Sequence, residues 1–137
     1  MCNLMPFKTV PFGHEGKVHL GSDVASLSFS GGELLVRVAR EVDGSGIVQG
    51  LDIQFRDASA IRYLDEADLA RYWISEGFVH GFHVLQVTEG GWSDEENESQ
   101  GYASSRKEWL VVTGNACVSV FARTAPTVSE ATWLRDA

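Results

Sequence analysis

The sequence has few cysteines and no long apolar run, and each shortage excludes a class of protein. Cys2 and Cys117 are too few and too far apart to form a disulfide framework, so we expect both to be reduced. No apolar run reaches the ~18 residues of a membrane-spanning helix. The first residues lack the charged start and apolar core of a secretion signal. The sequence therefore predicts a cytoplasmic protein with no membrane partner.

Basic residues are scarce in the middle of the chain. Residues 57–101 hold ten acids against two bases, a net charge of −8, whereas the other residues hold nine of each. A phosphate backbone must be neutralised by clustered lysine and arginine, so this distribution argues against a nucleic-acid partner. An acidic surface instead favours a basic partner protein, a cation or simple solubility.

Motifs that carry catalytic or metal-binding chemistry are also missing. His80 and His83 have the gap of a metal pair, but zinc needs three or four ligands, and on a strand these two residues would face opposite ways. The glycine-rich turn at 43–46 lacks the spacing of a nucleophile elbow. Cys117 lies in an apolar run and is expected to be a small buried residue. We predict no catalytic residue, no metal and no cofactor.

The residues that are present predict one globular domain. The chain has 137 residues, of which 44% are hydrophobic, and it includes four tryptophans and seven phenylalanines that can fill a core. It has no internal repeat, no low-complexity tract and no linker. We therefore predict a single domain over residues 1–137.

Alternating hydrophobicity predicts three consecutive strands between Val24 and Phe55. The apolar positions recur with a period of two, and glycine turns at 31–32 and 43–46 separate the three runs. Such a run has one face directed to the core and one directed away from it. The residues expected to share one side of their strands are Ala25, Leu27, Phe29, Leu34, Val36, Val38, Ile47, Leu51, Ile53 and Phe55.

The segment LDEADLARYWISEG has the period of a helix instead. Asp65 has the side chain of a good N-cap, and Leu64 and Leu69 are spaced to form an apolar staple around it. Leu69 and Trp73 then lie one helical turn apart on the same face. We predict one short helix over residues 66–75, packed on the sheet through this stripe.

Strand character returns in FHVLQVTE, in KEWLVVTG and in ACVSVFA, and Gly114-Asn115 predicts a tight hairpin between the last two. The end of the chain, PTVSEATWLRDA, fits either a short C-terminal helix or an edge strand. Parallel strands would need a helix between most of them, so we predict a mainly β (α+β) fold with antiparallel strands. A β-sandwich and a partly closed barrel both fit, and we favour the sandwich.

The stretch GGWSDEENESQG, residues 90–101, combines a tryptophan with four carboxylates. The acids are contiguous, so they do not match the alternating ligand pattern of a calcium loop. One interpretation is a solvated hairpin tip. A second is a partner-binding edge in which the aromatic ring is the anchor and the acids steer a cationic surface. A third is a weak metal contact or a dimer contact. The residues of this predicted contact region are Trp92, Asp94, Glu95, Glu96 and Glu98.

Three stretches together, IQFRDASAIRYLDEADLARYW, GWSDEE and EWLVVTGNACVSVFARTAP, resemble a group of small uncharacterised bacterial proteins. Some members of such groups are similar to immunity proteins of polymorphic toxin systems. The resemblance covers most of residues 50–126 and includes no catalytic motif. It implies a bacterial cytoplasmic protein that works by binding, with an acidity suited to blocking a basic enzyme.

The leading hypothesis is a non-enzymatic binding or interaction protein whose contact surface lies around Trp92 and the acids that follow it. The alternative is a small-ligand or enzymatic pocket inside the β framework, lined by aromatic residues with His80 or His83. A third hypothesis is a homodimer built through an exposed strand edge.

Overall fold

The computed structural model describes residues 8–13, 18, 21–65, 78–90, 92 and 107–135. The elements with defined bounds in these ranges are nine β-strands, so the mainly β prediction is confirmed. In those same ranges no helix is long and apolar enough to cross a bilayer. The strands are β1 Lys8–Pro11, β2 Asp23–Ser30, β3 Glu33–Val42, β4 Ile47–Phe55, β5 Ala58–Asp65, β6 Val84–Glu89, β7 Lys107–Val112, β8 Ala116–Ala122 and β9 Thr127–Leu134.

The nine strands form two antiparallel sheets. A five-stranded sheet has the order β1-β6-β7-β8-β5, and a four-stranded sheet has the order β2-β3-β4-β9. Every pair of neighbouring strands is antiparallel, as predicted. Among the described strands neither sheet closes on itself, so the sandwich describes them and the barrel does not.

The two sheets pack face to face through one hydrophobic core. Val36 and Leu51 from the four-stranded sheet meet Trp109 and Val120 from the five-stranded sheet, and all four are buried. Phe12, just after β1, packs edge-on against Trp109 with ring centroids 5.2 Å apart. Burying one such side chain stabilises the fold by roughly 1.5–3 kcal/mol, so this shared core holds the sheets together.

The predicted meander from β2 to β4 is confirmed with two shifts of register, one in β2 and one in β3. The alternation in β3 and β4 gives a fully buried face that includes Leu34 and Phe55. In β2 a bulge between Val24 and Ser26 shifts the alternation, so Val24, which pairs with Val38, packs against the core. Ala25, which was expected on that side, is exposed. An extra residue reverses the faces of everything on one side of it, which periodicity alone does not reveal.

The turn between β3 and β4 is stabilised by Asp43. Its Oδ1 accepts hydrogen bonds from the Ser45 hydroxyl at 2.7 Å, the Ser45 amide at 2.9 Å and the Ile47 amide at 3.0 Å. Gly46 closes the turn with φ of +83°, a value that glycine adopts at little cost. This confirms the predicted turn at 43–46.

Gly50 of β4 has residues of both neighbouring strands, β3 and β9, close to its Cα. A Cβ there would collide with the Val38 carbonyl oxygen and would lie 2.7 Å from the Trp133 ring. Arg37 covers that ring, with its Cζ 4.7 Å from the ring centroid, and also binds Asp52 through two hydrogen bonds of 2.9 and 3.2 Å. The absence of a side chain at position 50 therefore lets β9 pack closely on β4.

The predicted hairpin at Gly114-Asn115 is confirmed between β7 and β8. The Thr113 hydroxyl donates to the Ala116 carbonyl at 2.8 Å and accepts from the Ala116 amide at 2.9 Å. Ser22, before β2, binds the same turn: its hydroxyl accepts from the Gly114 amide at 2.9 Å, and its carbonyl accepts from the Asn115 side chain at 3.0 Å. The hairpin thus also links the two sheets.

Two predictions about helices are not borne out. The helix predicted for residues 66–75 lies outside the described residues, and β5 runs to Asp65, the expected N-cap. Leu64, the expected staple residue, pairs with Cys117 and belongs to a buried cluster on the sheet. The short C-terminal helix is wrong, because residues 127–134 form β9, which pairs with β4. The edge strand was the correct alternative.

Candidate contact surface

Two strands of the five-stranded sheet, β7 and β8, are buried on the outer face as well as on the core face. Every residue of β8 is buried, and all of β7 except Lys107 is buried. The outer face carries residues that alternate along their strands with core residues, namely Leu85, Leu110 and Cys117. On this outer face they pack with Phe78. A strand buried on both faces has a continuous apolar run, as ACVSVFA does. Any contact surface on this side of the molecule is therefore built on top of that cluster.

Trp92 packs on this outer face. Its ring lies against Phe121 of β8, with centroids 4.2 Å apart and planes 32° apart. The guanidinium of Arg62, from β5, lies over the Trp92 ring, with its Cζ 4.8 Å from the ring centroid. Offset aromatic stacking and a cation over an aromatic face each contribute on the order of 1 kcal/mol. Trp92 is therefore a partly buried side chain fixed to the sheet.

A buried carboxylate lies beside this stack. Glu108 of β7 is 1% exposed and pairs across the sheet with Phe121. Its Oε2 accepts a 2.7 Å hydrogen bond from the Ser119 hydroxyl, which is buried as well. A buried charge is costly unless neighbouring groups compensate it, so these polar residues constrain how the outer face packs.

Cys117 is next to the same group of side chains. Burial raises the pKa of the Cys117 thiol above its ordinary range, the negative charge of Glu108 raises it further, and the positive charge of Arg62 opposes them. The thiol is completely buried and is not part of a disulfide, so it stays protonated and unreactive. The prediction of a buried structural cysteine is confirmed.

The acids predicted to make the contact lie outside the described residues, which include only Trp92 of that predicted set. The described ranges hold ten acids and eight bases, a net charge of −2 out of the −8 of the whole chain. Most of the charge excess therefore belongs to the remaining residues, among which Asp94–Glu98 is the densest acidic stretch.

The two histidines of the alternative hypothesis have different environments. His83 is completely buried, and its Nδ1 lies 2.6 Å from the Val112 carbonyl oxygen. His80 is exposed, with its ring 5.0 Å from that of Phe78. They precede β6 in a turn where Gly81 has φ of +98°, so the expected strand geometry is wrong here. Among the described side chains, no three potential metal ligands come together.

A cleft lies at one end of the sandwich. Its volume is about 190 Å³, and it opens where the core-directed face of β4 and β9 changes from apolar residues to polar ones. Arg40, the extra residue of a bulge in β3, lines one side. Bulges redirect side chains and recur next to binding sites. The lining residues are Arg40, Gln49, Gly50, Glu130, Ala131 and Thr132.

Sequence reasoning named Trp92 but missed the residues that hold it. Arg62 and Phe121 are far apart in the sequence and become neighbours because β5 pairs with β8. Glu108 and Ser119 are the polar residues inside two apolar runs, and that interruption was the available signal. The polar lining of the cleft had no sequence signal, since it depends on β9 pairing with β4.

Comparisons with known proteins identified no relative of this chain. A scan against family models, a search of curated proteins and a search of solved structures each found no match.

Proposed function

We propose that this chain is a non-enzymatic interaction protein whose acidic segment, Asp94 to Glu98, contacts a basic protein. The observation that carries the proposal is the distribution of charge. The described part of the sandwich is close to neutral, whereas residues 57–101 alone carry a net charge of −8. A single-sign field of this kind attracts a cationic surface over a distance comparable to the Debye length.

The packing of Trp92 supports a defined location for that segment. Asp94 follows Trp92 by two residues, and two residues of chain span at most about 7 Å. Because Trp92 contacts both Phe121 and Arg62, the residue two positions before the acidic segment lies on the outer face of the five-stranded sheet. Holding one end of a charged segment lowers the entropy that a partner must remove on binding.

The proposed partner is a basic enzyme, which the chain would block as immunity proteins do. Complementary charge raises the association rate more than the affinity, and this favours an inhibitor that must capture its target quickly. The rate of association is then expected to fall steeply as salt is added. The partner contributes lysine or arginine side chains, and the chain contributes Asp94, Glu95, Glu96 and Glu98.

The test is capture of partners from a lysate of the native host with the purified chain as bait. Glu95→Lys with Glu96→Lys is expected to lose a basic protein that the wild type retains. The matched control is Glu33→Lys with Glu41→Lys, which makes the same change in net charge at two exposed positions of the four-stranded sheet. The control is expected to retain the partner, because the effect depends on where the charge lies.

Trp92 is tested separately, because its removal also weakens packing. Trp92→Phe keeps an aromatic ring against Phe121 and is expected to retain the partner, whereas Trp92→Ala is expected to weaken capture. Thermal melting of each variant reports folding independently. Retention of every partner by the variant with lysines at 95 and 96 would overturn the proposal.

A second candidate function rests on the cleft at the end of the sandwich. Arg40 and Glu130 place opposite charges on its lining, and Thr132 adds a hydroxyl. A cavity of about 190 Å³ with such a lining suits a small zwitterion such as a free amino acid. Calorimetric titration with each common amino acid, on the wild type and on Arg40→Gln, tests it. Equal heats of binding for both proteins would exclude this cleft as the binding site.

A further inference from the structure

β2 is an edge strand with an exceptional lack of protection. It is eight residues long, and among the described strands it pairs only with β3. Seven of its eight residues are exposed. From Val24 to Ser30 it contains no charged residue and no proline, and serines alternate with apolar residues. An exposed strand edge offers a row of backbone donors and acceptors to another strand.

The other three sheet edges carry the features that usually prevent such pairing. β1 has only four residues and contains Pro11. β5 carries Arg62 and Asp65, and β9 carries Glu130. Short length, proline and charge each discourage the addition of a strand. Among the four edges of the described sheets, β2 is therefore the one most open to pairing with another strand.

Apolar side chains are exposed along the same flank. Leu27 and Phe29 pair with Val36 and Leu34, so they point toward the core side of the sheet, yet they are 40% and 54% exposed. Tyr63 of β5, which pairs with Val118 of the core, is 51% exposed. The three exposed residues Leu27, Phe29 and Tyr63 are called the open flank below.

Two hydrogen bonds place β2 and β5 on one side of the sandwich. Beyond the end of β2, the Gly32 carbonyl accepts from the Ala58 amide, at the start of β5, at 2.9 Å. Before the start of β2, Ser22 binds the turn that precedes β8. Asp65, at the other end of β5, pairs with the first residue of β8. The two edge strands are thus connected near both ends, and the open flank is one continuous side of the molecule.

We propose that a second copy of this chain covers the open flank, with β2 pairing antiparallel to β2 of the second copy around a two-fold axis. The two four-stranded sheets would then form one continuous sheet. Such an interface is self-complementary, as two-fold symmetry requires. Each β2 would pair with the other along the edge that, among the described strands, has no neighbour, and the exposed side chains of the two flanks would approach one another.

The charge of β2 is the reason to choose a second copy as the occupant. In an antiparallel pair around a two-fold axis, a charge near the axis would face the same charge of the second copy and oppose pairing. The run from Val24 to Ser30 carries none. The one charged residue of β2 is Asp23 at its first position, so a basic partner of the proposed acidic segment would gain little attraction from this strand. The dimer and the proposed function therefore involve different residues and are independent of one another.

Light scattering coupled to size-exclusion chromatography tests the dimer. The wild type is expected to elute with the mass of two 15.0 kDa chains, and Ser28→Lys with the mass of one. Ser28 is exposed on the outer side of β2, so this change leaves the core intact. Phe29→Lys is expected to give the same halving of mass. Val10→Lys, on the β1 edge and 50% exposed, is the matched control and is expected to remain dimeric.

Amide hydrogen exchange gives a second readout. In the dimer the β2 amides that point away from β3 are expected to exchange more slowly in the wild type than in Ser28→Lys, while β1 exchanges equally in both. A wild type that is monomeric at every concentration, or a dimer that persists in Ser28→Lys with unchanged β2 exchange, would overturn the proposal. A monomer whose β2 amides become protected only when another protein is added would also overturn it.

Discussion

The two sheets of this molecule differ in how far their outer faces are buried. The central strands β7 and β8 of the five-stranded sheet are covered on both faces, with a core on one side and a second cluster with Phe78 and Trp92 on the other. The four-stranded sheet is buried on one face and carries polar groups such as Arg37 and Asp52 on the other. The difference shows that one sandwich can include a sheet whose central strands are buried on both faces and a sheet with a solvent face. The sequence distinguishes them: β8 is continuously apolar except for Ser119, whereas β3 alternates.

The largest expected effect compares matched leucines on the two outer faces. Leu110→Ala, in the five-stranded sheet, is expected to lower the free energy of unfolding by about 3 kcal/mol, because it leaves a cavity in a fully buried cluster. Leu35→Ala, on the partly buried outer face of β3, is expected to cost about 1 kcal/mol. Urea unfolding measures both. Equal losses would show that the two outer faces are equally covered.

The next effect concerns the close packing around Gly50 in the four-stranded sheet. Gly50→Ala is expected to lower the free energy of unfolding by about 2 kcal/mol, since the added methyl meets the Val38 carbonyl and the Trp133 ring. Gly44→Ala is the control, because a Cβ there meets nothing within 4 Å. A Gly50→Ala protein as stable as the Gly44→Ala protein would contradict the close approach of β9 to β4.

A smaller effect compares two arginine–tryptophan pairs of similar geometry. Double-mutant cycles to alanine are expected to give a coupling of about 1 kcal/mol for Arg62 with Trp92 and about 0.5 kcal/mol for Arg37 with Trp133. The first pair is expected to couple more strongly because Phe121 packs on the same ring. In the second pair the guanidinium also binds Asp52. A larger coupling in the second pair would reverse the comparison.

The smallest effect concerns the exposed turn of the four-stranded sheet. Hydrogen bonds, chiefly from the Ser45 hydroxyl, hold the pKa of Asp43 below its ordinary value of 3.8. A lowered pKa in the folded state contributes stability that is present above the ordinary value and is lost as the pH falls through the lowered one. The melting temperature of Asp43→Ala is therefore expected to lie slightly below that of the wild type at neutral pH and to approach it in acid.

Ser45→Ala is the control for that titration. It keeps the Asp43 carboxylate but removes its shortest hydrogen bond. The stability that Ser45→Ala loses between neutral pH and acid is therefore expected to be smaller than the stability that the wild type loses. A difference between wild type and Asp43→Ala that does not change between neutral and acid pH would contradict the role of the ionised carboxylate.

The sequence was sufficient for the strands that alternate clearly, and insufficient where pairing between distant segments decides. The meander and the three strands β6 to β8 were predicted, because each has a periodic or continuous apolar pattern. β5 was missed because its polar residues, Arg62 and Asp65 among them, break the alternation. The bulge that turns Val24 inward, and the stacking of Trp92 on Phe121, depend on register and strand order, which local patterns do not contain.

β9 also has a consequence for how the protein is made. The meander can form as soon as its own residues leave the ribosome, but β4 waits for Thr127–Leu134, the last of the nine described strands in chain order, to become its second neighbour. Until then Gly50 lacks the Trp133 ring, and the edge of a central strand is unprotected. Shortened chains that stop before Thr127 are therefore expected to aggregate during translation.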